Sequence, residues 1–318
     1  MRAGAKQDRF LGSLMGMSIG DAMGMPIVGL TRTQIRERFG KVESYKPRPF
    51  DDGTEIKEGE FTDESELALC IVESFTVNNG ELDPDNIGAR FLYLARGEAR
   101  RWISADTLTS LLAAEDSLEF VVPFADDGPS TGDVAARGIP IGLIHSVGTF
   151  DAHRLRADAE LVTRITHGSP AAISATTAVA FAVQAAARGD LHPEAWTAAT
   201  ADFVEGGSTA EMLRADCEID AIAMDESSAA VVTSAISIAA AAPDFTTAVT
   251  DAINLGGLTD ARGAITGAIV GAHRGIAGIP QSLIDDLEGR IYVSLAVPWF
   301  FRTALRRAGL LLDLRSQR

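Results

Sequence analysis

The chain is predicted to be all-α, a single compact helical domain over residues 1–318. Three observations carry that expectation. Apolar residues recur at helical spacing almost throughout, Ala is abundant, and alternating apolar–polar runs are scarce. No stretch rich in Pro, Gly or Ser divides the 318 residues, and no tandem repeat is visible beyond two glycine stripes. Those stripes, one near each end, place glycine at every fourth position: Gly12, Gly16, Gly20 and Gly24, then Gly263, Gly267, Gly271 and Gly275.

Four residues make slightly more than one helical turn, so each stripe lines one face of a helix. A mid-helix glycine costs roughly 0.5–1 kcal/mol relative to alanine. Four on one face therefore imply close backbone packing at the centre of the molecule. Such a stripe can also mark a membrane dimer face, but Asp260, Arg262, His273 and Arg274 interrupt the second one. The two helices are expected to pack on each other and bring both ends of the chain to the core.

In chain order, the first helix is predicted over about Asp8–Asp21, followed by loop-rich chain from Gly29 to Phe61 with a weakly signalled strand pair in 29–60. A helix over Glu64–Thr76 opens on Asp63-Glu64-Ser65-Glu66, which reads as a capping box with Asp63 as N-cap. Periodicity places further helices near Asp85–Ala99, Ala105–Ala113, Val134–Ser146, Arg154–Thr166, Ala171–Arg188 and Pro193–Phe203. The remainder fall near Thr209–Cys217, Ser227–Ala241, Thr246–Asn254, Gly263–Ala277, Gln281–Glu288 and Ile291–Leu312.

Composition narrows the function classes. With 46% hydrophobic and 23% charged residues the chain is globular, long enough to bury more than about two thirds of its unfolded surface. A net charge of −16 argues against a nucleic-acid groove. Two cysteines, Cys70 and Cys217, fit a reducing compartment without a disulfide framework. MRAGAKQDRF lacks a signal-peptide run, and the apolar runs Val231–Ala242 and Ala171–Ala187 fall short of a span or carry Ser, Thr and Gln. A cytoplasmic protein with no membrane segment is expected.

Four stretches gather polar groups in unusual settings. In Gly20-Asp21-Ala22-Met23-Gly24, a left-handed C-cap at Gly24 explains the glycine but not a carboxylate at a helix C-terminus. Thr62-Asp63-Glu64-Ser65-Glu66 is oxygen-rich enough for a hard divalent cation, although capping alone also accounts for it. Gly256-Gly257-Leu258-Thr259-Asp260 repeats an acid before a helix, with a double glycine that asks for positive φ or close backbone approach. His167, in Thr166-His167-Gly168-Ser169-Pro170, is a structural hydrogen-bonder or a cleft residue. The other histidines have no HExxH spacing, and neither a GxSxG elbow nor a Walker loop occurs.

Taken in order, these stretches resemble the ADP-ribosylglycohydrolase family, which includes dinitrogenase reductase-activating glycohydrolase and the J1 crystallins. GSLMGMSIGDAMGMP is similar to the family's first helix, Gly59-Glu60-Phe61-Thr62-Asp63-Glu64-Ser65 to its Thr-Asp-Asp segment, and Arg137-Gly138-Ile139-Pro140-Ile141-Gly142 to an internal Arg-x-x-Pro-x-Gly motif. Thr166-His167 with Pro170 resembles its Thr-His-x-x-Pro loop, and Asn254–Asp260 with the glycine helix its C-terminal segment. The resemblance implies an all-helical ADP-ribosylglycohydrolase-like fold. It also implies hydrolysis of an N- or O-glycosidic bond at the ribose of ADP-ribose, typically with two Mg²⁺.

On that reading Thr62, Asp63, Glu64 and Asp260 are the metal ligands, and Asp63, Glu64 and Asp260 the catalytic acids. The substrate side falls to Asp21, Gly132, Asp133, His167, Gly256, Gly257 and Arg262, with specificity in loops such as Pro47–Glu60 and Pro123–Asp133. The chain departs from the family at the metals: Glu64 replaces an aspartate, and Val28, Leu258 and Ala261 stand where ligands are expected. None of those three can bind a hard cation. One Mg²⁺ site rather than two is therefore expected, with Mn²⁺ as an alternative ion, and Arg262 either fills the place of the second cation or faces outward. The expected activity is a metal-dependent glycosidase acting on a small-molecule or protein-linked ADP-ribosyl or ribosyl substrate. The alternative is an inactive member that binds ADP-ribose or a nucleotide, or is structural.

Overall fold

The computed structural model describes residues 3–311 apart from 52, 118 and 216. The fold is mostly helical, with fifteen α-helices among the described residues and a single short antiparallel strand pair. The N-terminal helix, Ala3–Gly24, and the glycine helix, Thr259–Arg274, form its axis.

They run antiparallel with their stripes in register. A Cβ added at Gly12, Gly16, Gly20 or Gly24 would lie 2.0–2.4 Å from the carbonyl oxygen of Gly271, Gly267, Gly263 or Thr259 respectively. The reverse holds for Gly263, Gly267 and Gly271 against Gly20, Gly16 and Gly12. Backbone thus faces backbone, a packing that only glycine permits. Two details differ from expectation. Gly24 is right-handed helical (φ −80°) and leads into a 3₁₀ turn, Met25–Ile27, so it is kept for clearance and not as a left-handed cap. Gly275 closes the seam without continuing the helix: its backbone lies against Gly12, and with φ +71° it terminates the glycine helix at Arg274.

A second, shorter seam escaped the periodicity. Cβ atoms at Gly138 and Gly142 would meet the carbonyl oxygens of Thr176 and Ala180 at 2.3 and 2.4 Å. This lets helix Gly138–His145 lie directly on helix Pro170–Arg188. The latter is long and apolar enough by composition to cross a membrane, yet 72% of its apolar window is buried inside the fold. The region 29–60 is not all loop. Helix Arg32–Phe39 opens with a true capping box at Thr31 and Gln34, and strands Arg48–Pro49 and Glu55–Ile56 pair antiparallel.

The helix expected over Val134–Ser146 begins as a 3₁₀ segment, Gly132–Arg137, before turning α-helical. The last helix spans Arg290–Arg307; the expected end at Leu312 lies outside the described residues. Phe10 of the N-terminal helix packs 5.4 and 5.1 Å from Phe300 and Phe301, and Phe75 of helix Asp63–Val77 stacks on Phe300. Both chain ends are thereby joined to the helix that carries the acidic motif.

Candidate active site

The seam sets Asp21, one turn from the end of the N-terminal helix, close to Asp260 in the first turn of the glycine helix. Against both docks the start of the acidic helix, Asp63–Val77. Its N-cap is Thr62, not Asp63 as the capping-box pattern suggested, and the Thr62 hydroxyl makes no capping bond. Asp21 does that work from another helix. Its Oδ2 accepts the backbone N–H groups of Thr62 (2.9 Å) and Ser65 (3.1 Å), and its Oδ1 accepts the Thr62 hydroxyl (2.7 Å). The carboxylate that looked misplaced at a helix C-terminus is the cap of a neighbouring helix N-terminus.

With capping taken over by Asp21, the carboxylates of Asp63 and Glu64 are left for other work. Both are buried, as is Asp260. Burial raises the Asp63 carboxyl well above the carboxylate range, and the charges of Asp133, Asp260 and Asp21 add to the shift. Glu64 is raised well above its ordinary value by burial, then by Asp260 and Asp63. Asp260 is raised to about 7 by burial and by Asp21, although its Oδ1 accepts the Ala261 N–H at 2.8 Å. Asp63, Glu64 and Asp260 sit in the first turns of their helices, where the backbone dipoles favour negative charge.

Arg137 and His167 complete the surroundings. The buried Arg137 side chain donates to Thr166 Oγ1 and, at 3.0 Å, to Thr107 Oγ1, and lies over the Phe91 ring. Burial pushes its guanidinium down to about 10, opposed by the charges of Asp133 and Asp63. The motif containing Arg137 was visible in the sequence, but its place beside these acids was not. His167 was expected on a cleft wall; it is fully buried, with Nδ1 2.7 Å from Thr166 Oγ1. Asp63, Glu64, Leu67, Asp133, Ala136 and Arg137 line a narrow crevice that, as the side chains stand, has no room for a water molecule.

The remaining expected residues serve the scaffold around this cleft. Gly132 lets the 3₁₀ segment press on Val231, and its N–H donates to Glu226 O at 3.0 Å. Gly256 (φ +96°) and Gly257 (φ +73°) have the positive φ that the double glycine predicted, and they abut the backbone at Leu30 and Ala223. Arg262 turns inward, not outward: it is fully buried, and its guanidinium donates to Ser234 Oγ (2.8 Å), Gly256 O and Ala223 O (3.0 Å). It is held there because it satisfies the carbonyls that the tight glycine turn would otherwise strand. Leu258 and Val28 are half-buried and bring only hydrocarbon.

The donor set fits a hard cation by chemistry: Asp63, Glu64 and Asp260 offer carboxylate oxygens buried without an ion-pair partner among the described residues, and Thr62 Oγ1 keeps lone pairs after donating to Asp21. As the side chains stand, among the described residues no three acidic, imidazole or thiol groups converge tightly enough to hold one ion. A larger cavity, about 620 Å³, is elsewhere, on the face of the acidic helix that carries Leu69, Cys70 and Glu73. Size alone makes it the natural candidate pocket, but the converging carboxylates mark the narrow cleft as the place for chemistry.

Comparison with known proteins agrees with this architecture. An ADP-ribosylglycohydrolase family profile matches residues 2–315. An uncharacterized protein of Archaeoglobus fulgidus is 30% identical over 300 residues, covering 90% of this chain and 94% of that one. The ADP-ribosylarginine hydrolase Tri1 of Serratia proteamaculans is 24% identical over 300 residues, 88% of this chain and 75% of its own. A solved structure described as an ADP-ribosylglycohydrolase-related protein complex superimposes with a TM-score of 0.76 at 23% identity, covering 95% of this chain and 99% of that one. That likeness shows the fold. Mostly helical, built on a glycine seam and matched along nearly its whole length, the chain belongs to the ADP-ribosylglycohydrolase family.

Proposed function

We propose that the protein is a metal-dependent glycosidase that hydrolyses an ADP-ribosyl or related ribosyl N- or O-glycosidic bond, with a reduced metal site. The observation that carries this reading is the gathering of Asp63, Glu64 and Asp260, buried and, among the described residues, unpaired by any guanidinium or ammonium. Such a cluster is costly unless something cationic is met there. Glycoside cleavage supplies positive charge, because its transition state is oxocarbenium-like at the anomeric carbon. Fixed carboxylates around that carbon stabilise it without reorganising.

Thr62, Asp63, Glu64 and Asp260 would hold one divalent cation, Mg²⁺ or Mn²⁺; when bound, it orients ribose hydroxyls and the attacking water. Of this set, Asp260 would take the proton from that water. Asp133 and Arg137 form the opposite wall of the cleft. The crevice is closed as the side chains stand and would have to widen to receive the ribosyl end.

The same lack of ligands at Leu258, Ala261 and Val28 supports the second reading, an ADP-ribose- or nucleotide-binding member without turnover, or a structural one. A release assay separates the two. ADP-ribosylated arginine and serine peptides and simple ribonucleosides are incubated with and without Mg²⁺. Metal-dependent release that disappears in Asp260→Ala supports hydrolysis. An ADP-ribose-induced thermal shift without release supports binding alone.

A further inference from the structure

Thr166 and His167 lie in the short turn between helices Ala152–Thr163 and Pro170–Arg188, and their side chains form a linear polar chain with Arg137. We infer that Arg137 and Thr166 are positioning residues that hold His167 as its Nε2–H tautomer, so that this ring offers a bound substrate a hydrogen-bond donor and not a proton acceptor.

The logic follows from what each group can do. A guanidinium only donates, so Thr166 Oγ1 accepts from Arg137. The hydroxyl proton then needs an acceptor, and the other partner of this oxygen is His167 Nδ1 at 2.7 Å. If Nδ1 carried the proton instead, the hydroxyl would accept twice and its own hydrogen would be stranded in a buried site. A bare Nδ1 also turns the negative end of the imidazole dipole toward the guanidinium. Ser110 Oγ, donating to Thr166 O at 2.7 Å, fixes the turn further.

The proton is therefore on Nε2, which is buried and has no hydrogen-bond partner among the described residues. A buried N–H is rarely left unmet in a native protein. Burial and the charge of Arg137 push the imidazole down to about 4, opposed by Asp133, so it stays uncharged near neutral pH. With Nδ1 occupied and Nε2 protonated, the ring has no free lone pair for general-base work. What it can meet is an oxygen lone pair, from a ribose hydroxyl or a phosphate. That last step rests on the proposed ADP-ribosyl substrate; the tautomer assignment does not.

The test uses the full chain with ¹⁵N-labelled histidine and a long-range ¹H–¹⁵N correlation spectrum at neutral pH. The expected pattern for His167 is a protonated-type Nε2 resonance and a bare-type Nδ1 resonance. Thr166→Val should collapse this into averaged shifts, and Thr166→Ser should restore it. A protonated Nδ1 or averaged shifts in the unaltered protein overturns the assignment, as does a Thr166→Val spectrum that keeps the original pattern. If Thr166→Val does not fold, the spectra of the unaltered protein and Thr166→Ser still decide it.

The donor role is read by titrating ADP-ribose. His167→Leu should weaken binding about 10–100-fold, whereas His167→Gln, which keeps an N–H, should stay within several-fold. Equal affinity for His167→Leu and the unaltered protein overturns the donor role. If the unaltered protein shows the Nε2–H pattern and binds no ADP-ribose, the proposed substrate falls while the tautomer assignment stands.

Discussion

The glycine seam and the acid cluster are neighbours in the same core, and they are opposite kinds of structure. In the seam every position is over-determined: backbone meets backbone and no atom has room to move. In the cluster, buried carboxylates crowd one another with their proton affinity raised, so the native state carries unresolved electrostatic tension. The seam supplies rigidity and the cluster spends it, since unpaired charges stay together only where the scaffold cannot relax.

Substitutions should therefore behave oppositely in the two regions. The largest expected effect is catalytic: Asp63→Asn should reduce ribosyl release at least ~100-fold, while its midpoint of thermal unfolding without metal stays equal to or above that of the unaltered protein. A lower midpoint would contradict the idea that the cluster is held against its own repulsion. Next is Gly20→Ala, whose Cβ would lie 2.0 Å from the Gly263 oxygen, with backbone on the facing side. It should destabilise by about 3 kcal/mol in urea unfolding, although alanine is ordinarily the better helix former. A neutral result would mean that the two helices can separate.

The third prediction concerns pH. Raised carboxyls bind protons more tightly in the folded than in the unfolded chain, so their contribution is full in acid and fades as pH rises through about 7, the value for Asp260. His167 and His145, with lowered values, act in the opposite sense below the ordinary histidine range. The cleaner measure is thus the thermal upshift given by Mg²⁺, which should be small in mild acid and grow through pH ~7 as ligands ionise. An upshift independent of pH would remove these carboxylates from the metal site. The smallest effect expected is Thr62→Val, which deletes the hydroxyl that donates to Asp21 at 2.7 Å. It should cost about 1–2 kcal/mol of stability and leave the capping bonds from the Thr62 and Ser65 amides in place.

The same division governs what could be read from the residues alone. The seam was legible because glycine at every fourth position weakens a helix unless another backbone comes close to it, and the pairing of its two halves followed. Asp21, Asp63 and Asp260 were legible as unusual acids, but not the capping of one helix by another's side chain, because the donor and acceptor are far apart in sequence. The pattern Asp63-x-x-Glu66 satisfied a local rule that the tertiary structure set aside. Helix Arg32–Phe39 was missed since it buries only Ile35 and so shows almost no apolar periodicity. The orientation of Arg262 stayed open because its partners, Ala223 O and Ser234 Oγ, come from other segments.

The register of the seam also has a consequence in time. The N-terminal helix is synthesised well before the glycine helix, and its glycine face has no partner until the chain has grown past Gly271. At ordinary elongation rates that is a wait of roughly 12–50 s, during which an apolar helix with a bare backbone stripe must be sheltered. Asp21 cannot be brought beside Asp260 before the seam has closed. The arrival of the glycine helix thus decides both when the core becomes dry and when the acid cluster first exists.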